Sequence, residues 1–171
     1  MMIDGTFFQD GMLCIEGVAV NDVTPGATNA AIKSALEACI GQYEPEYLEG
    51  LLGEKLCDEF TGYLSSDREE ERWERLKEKL IRTAPFPRSP IANYVYFHFL
   101  RNNDSAATIT GVKKDEDDGA LVSPERKMIF AWNDMVRQNE KIARFMLDNM
   151  PDYEGWELDE DLLTPINSFG I

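Results

Sequence analysis

From Thr28 to Arg101, and again from Ser123 to Asn149, the apolar residues return every three or four positions, and this period limits the chain to helices packed on one another. Ile32, Leu36, Cys39 and Ile40 fall on one helical face, with Thr28 or Asn29 available as N-cap. Pro45 suits the first turn of a second, short helix carrying Tyr47, Leu48, Leu51 and Leu52 to a stop at Gly53. A third helix covers Glu54 to Leu64, with Leu56, Cys57 and Phe60 inward. Ser65-Ser66-Asp67 then caps a charged helix over Arg68 to Arg82, whose apolar stripe is Trp73, Leu76, Leu80 and Ile81.

Ser89-Pro90 and Ser123-Pro124 each pair a capping serine with a proline at the first helical position. The first opens the apolar helix Ile91 to Arg101, the natural centre of a bundle. The second opens the longest helix, to about Asn149, with Met128, Trp132, Met135, Ile142, Phe145 and Met146 as its stripe. Between them, 102–122 reads as a long irregular loop.

The flanks differ from this middle. Residues 1–27 have short apolar runs broken by Asp10-Gly11 and Glu16-Gly17, the pattern of one or two short strands joined by tight turns. Residues 151–171 mix acids with Tyr153, Trp156, Leu158, Leu162, Leu163, Ile166 and Phe169. Such an arm either docks on a partner or packs back on its own domain. The expected fold is therefore mainly α: a compact bundle of about five to six helices over 28–150, with a short N-terminal β segment and an extended C-terminal arm.

Composition narrows function. Lys and Arg number 17 against 32 Asp and Glu, a net charge of −15. Binding to DNA or RNA needs cations that neutralise phosphates, so stable nucleic-acid complexes are disfavoured, and an anionic membrane surface repels such a chain. No apolar run approaches the ~20 residues of a bilayer span, and the N-terminus lacks the basic and apolar regions of a signal peptide. Cys14, Cys39 and Cys57 are odd in number and widely spaced, which predicts reduced, packed thiols in place of a disulfide framework or zinc knuckle.

Catalytic patterns are scarce. His98, the single histidine, sits in the aromatic run YVYFHFL, where a buried, hydrogen-bonded core histidine is the default. No nucleophile elbow or phosphate-cradling glycine loop occurs. KDEDDGALVSPE places Glu116, Asp118, Leu121 and Glu125 at calcium-loop positions around Gly119, but Lys114 stands where the first carboxylate is required. No enzyme activity, cofactor or metal is expected.

Three stretches, Ile40 to Phe60 (IGQYEPEYLEGLLGEKLCDEF), Ile91 to Asn103 (IANYVYFHFLRNN) and Ser123 to Val136 (SPERKMIFAWNDMV), together resemble small structural proteins of tailed phages and prophages, of the head–tail connector or head-completion adaptor kind. The resemblance covers about residues 28–150. It implies a mostly α-helical virion protein of the neck, assembled in the bacterial host cytoplasm as a homo-oligomeric ring, dodecameric in that family. Such a ring binds the portal protein on one side and a tail-side adaptor or tail protein on the other, while DNA passes through without specific binding. An acidic lumen suits that passage. The contacts are expected from the loop and the arm: Thr108, Thr110, Lys113, Lys114, Trp156, Leu158, Leu162, Leu163, Ile166 and Phe169. The alternative is an acidic helical regulatory module or DNA mimic acting on a basic protein.

Overall fold

The computed structural model describes residues 1–18, 27–83, 86–110 and 123–167, with 27–28 and 104–110 described as backbone. Five helices dominate: α1 (Ala27–Leu52), α2 (Glu54–Leu64), α3 (Glu71–Leu80), α4 (Pro90–Thr110) and α5 (Pro124–Asp148). The apolar helix α4 packs between α1 and α5, and its Ile91, Ala92, Val95 and Tyr96 are buried. Among the described residues, no helix is long and apolar enough to cross a membrane.

The helices follow the apolar period, but they break at other places than the expected boundaries. Pro45 lies inside α1, which runs unbroken through the expected boundary. An internal proline costs about 3 kcal/mol. Against this, Leu36, Ile40, Tyr43, Tyr47, Leu48, Leu51 and Leu52 on both sides of it all enter one core, which holds the two halves in line. Helix α3 is shorter than expected: Ser65 and Ser66 turn their hydroxyls back onto the carbonyls of Thr61 and Tyr63, closing α2 in place of capping α3. The expected loop 102–122 is corrected over 102–110, and its remainder, 111–122, lies outside the described residues. Helix α4 continues from Asn102 to Thr110, through the helix-favouring Ala106-Ala107, with Asn103 donating back to the Phe99 carbonyl at 3.0 Å.

The N-terminal β segment is also corrected over 1–18, while 19–26 lie outside the described residues. Gly5–Phe8 and Gly11–Leu13 are single 3-10 turns. Asp4 caps the first turn through the Thr6 N–H, and Gly11 and Gly17 adopt φ of 73° and 86°, a conformation that ends a strand. The segment is held by its side chains, with Ile3, Phe8, Ile15 and Val18 buried. The N–H groups of Met2 and Ile3 donate to the buried carboxylate of Glu44, at 2.7 and 3.1 Å. A buried acid thereby gains two backbone donors.

Candidate interaction surface

The C-terminal arm packs back on its own domain. Tyr153 is fully buried against Trp73, with ring centroids 5.9 Å apart, and its hydroxyl donates to the Arg72 carbonyl. Trp156 Nε1 donates to the Leu51 carbonyl at 2.8 Å, and the Asp159 N–H to that of Gly50 at 2.8 Å. Farther on, the indole of Trp132 donates to Thr164 and the amide of Asn139 to Leu162. The arm has little regular backbone pairing, so helix side chains satisfy its carbonyls.

This decides where the expected contact residues stand. Leu162 is buried, Trp156 and Leu158 are half-buried against the core, and Leu163 and Ile166 are half-buried. They form an intramolecular seam and not a free arm. Thr108 and Thr110 lie on the last turns of α4, where only the backbone is described. Lys113, Lys114 and Phe169 lie outside the described residues. Of the two tryptophans assigned to the core, Trp73 is buried and Trp132 only half-buried.

A surface that local sequence did not reveal lies elsewhere. Arg82 and Arg88 are joined by two backbone hydrogen bonds of 2.9 and 2.7 Å, and Phe86, two residues before Arg88, is 74% exposed. Beside it runs a groove of about 650 Å³, walled by Phe7 and Leu13 from the N-terminal turns and by Phe130 from α5. Met12, Phe86 and Phe130, three of the large apolar side chains left exposed, all border this one groove. They come from three separate stretches of chain, which is why no sequence window contains the site.

The charged group in this groove is a structured one. Asp134, 6% exposed, accepts from Arg88 at 2.5 Å, Arg137 at 3.0 Å, Gln138 at 3.0 Å and Asn93 at 3.3 Å. Four donors are what a buried carboxylate requires. They fasten Arg88 to α4 and α5, two residues from Phe86. Arg82, also on the groove, makes no ion pair among the described residues.

His98 departs from the expected core histidine. Its ring stacks on Tyr43 with centroids 4.2 Å apart and lies 4.5 Å from Tyr94. It is half-buried, and its Nε2 has no hydrogen-bond partner. Burial pushes its pKa below the ordinary histidine value, while Glu46 opposes that shift and Arg101 adds to it. Among the described residues, no group of three or more His, Cys, Asp and Glu is placed to hold a metal ion. No family model, curated protein or solved structure matches the chain.

Proposed function

We propose that this chain is a non-enzymatic structural adaptor of the virion, a head–tail connector that bridges portal and tail as part of a homo-oligomeric ring around the DNA conduit. The observation that carries the reading is the groove bordered by Met12, Phe86 and Phe130 on an otherwise strongly acidic helical domain. A contiguous exposed apolar patch marks a protein contact more often than a solvated surface. The ordered Arg88–Asp134 network beneath it presets the contact, lowering the entropy lost on binding. The net charge of −15 supports the conduit role, since phosphates find little to adhere to.

Mass by light scattering, for the chain alone and mixed with the portal encoded nearest to its gene, tests this. A ring-sized species, alone or on the portal, is expected. A monomer that ignores the portal overturns it and favours the acidic regulatory module, for which competition with DNA for a basic protein is the check.

A further inference from the structure

A second cavity, about 240 Å³, opens between α4, α5 and the arm. Its wall holds four rings in one continuous cluster: Phe97 lies 4.8 Å and Tyr94 6.0 Å from Trp132, while His98 lies 5.2 Å from Phe97 and 4.5 Å from Tyr94. Asp159 and Asp161 of the arm complete the lining. Asp159 Oδ1 accepts the Asp161 N–H at 3.0 Å, which leaves its second oxygen as an acceptor. A third acid stands close by, because the Tyr94 hydroxyl donates to Glu46 at 2.7 Å.

The rings and the aspartates of this lining favour a cation, and Leu162 and Ile166 add apolar wall. Ring faces present negative quadrupole to a cation within ~6 Å of the centroid. Asp159 and Asp161 outnumber the one guanidinium lining the cavity, that of Arg101, and Glu46 behind Tyr94 adds to the negative balance, which disfavours an anion. Size restricts the guest further, since drug-sized ligands occupy roughly 300–1,000 Å³. We propose that the cavity between Trp132, Phe97 and Asp159 binds one organic cation, an alkylammonium or guanidinium group no larger than a lysine or arginine side chain. The alkyl stem lies along the Trp132 and Phe97 rings, and the N–H groups turn to Asp159 and Asp161. This inference is independent of the adaptor reading.

The single histidine supplies a reporter inside the site, because its imidazole C–H resonances are unique in the proton NMR spectrum. The full chain is titrated with n-butylammonium, n-propylguanidinium and 1-butanol. The two cations are expected to shift the His98 resonances saturably, and the uncharged alcohol to leave them in place. The double substitution Asp159→Asn and Asp161→Asn keeps the capping acceptor and is expected to weaken the cations about tenfold, as loss of some 1.4 kcal/mol requires. Its thermal midpoint, measured alongside, shows that the domain stays folded. Equal shifts from butanol, no saturation, or unchanged affinity in the folded double variant overturns the proposal. A last arm uses N-acetyl-arginine amide. Tighter binding than propylguanidinium assigns the cation to a polypeptide side chain, and equal binding assigns it to a free amine or guanidine.

Discussion

Asn133 and Ile166 exchange two hydrogen bonds of 2.8 Å: the Asn133 amide donates to the Ile166 carbonyl, and the Ile166 N–H donates to Asn133 Oδ1. One side chain thus gives the arm the donor and acceptor that a neighbouring strand would otherwise supply. Substituting Asn133→Ala removes both at once. The expected cost is about 1–3 kcal/mol in urea unfolding. Hydrogen exchange at Ile166 should quicken while the amide of Leu162, bonded to Asp159, stays protected. Uniform loss of protection along the arm would show that the pair holds the whole segment.

Asn139 makes a deeper link. It is fully buried, accepts from the Tyr47 hydroxyl and donates to the Leu162 carbonyl at 2.9 Å, joining α1, α5 and the arm. Asn139→Ala strands two buried polar groups, so a loss on the order of 2–5 kcal/mol is expected. In a Tyr47→Phe background the same substitution should cost less, because one stranded group is already gone. A double-mutant cycle measures the difference, and strict additivity would contradict the shared network.

Much of this was legible in sequence where neighbours along the chain decide the outcome. Ser89 and Ser123 cap α4 and α5 through the Ile91 and Arg126 N–H groups, as their serine–proline pairs announce. Gly53 ends α1, and the stripes of α2 and α5 face inward. Illegible were the outcomes set by distant partners. Pro45 stays helical because residues on both its sides share a core. The arm folds back because Leu51 accepts from Trp156, 105 positions away. Buried Asp134 and Asn139 gave no hydrophobic signal, and the groove assembles from residues 12, 86 and 130.

Gly53 shows how tightly the arm is seated on the α1–α2 junction. Its φ is 74°, and a Cβ there would lie 3.0 Å from Glu157 Cβ and 3.2 Å from the Glu157 carbonyl. Gly53→Ala combines a positive-φ extended backbone (φ 74°, ψ 157°) that essentially only glycine adopts, costing about 1–3 kcal/mol, with a clash against backbone that cannot rotate away. A lower thermal midpoint is expected, together with increased exposure of Trp156 to acrylamide quenching. Gly62, where a Cβ meets open space, is the control: Gly62→Ala should stabilise α2 by about 0.5–1 kcal/mol.

The groove makes the opposite prediction, function lost without stability. Phe86 is 74% exposed and Met12 63%, so neither contributes much to the core. Phe86→Asp should leave urea unfolding within about 0.5 kcal/mol of the parent. It should also abolish the ring-sized or portal-bound species in light scattering. Association that survives Phe86→Asp and Met12→Asp together would move the contact away from this groove.

His98 predicts the pH response. Its pKa is lowered on folding, chiefly by burial, so between the folded value and the ordinary histidine value of ~6.5 the unfolded chain binds the extra proton. Stability is therefore unaffected by this group above about pH 6.5, falls as acid is added through that window, and levels off below the folded pKa. Carboxylates titrate at lower pH still, so the group must be isolated by difference. The thermal midpoint is measured from pH 8 to pH 5 for the parent and for His98→Gln, which keeps a polar group in the ring cluster but cannot take up the proton. The parent should lose more stability than the variant across this range. Parallel curves would mean that His98 takes up its proton in the folded chain at the unfolded value, despite Tyr43 stacked on its ring and Tyr94 tilted against it.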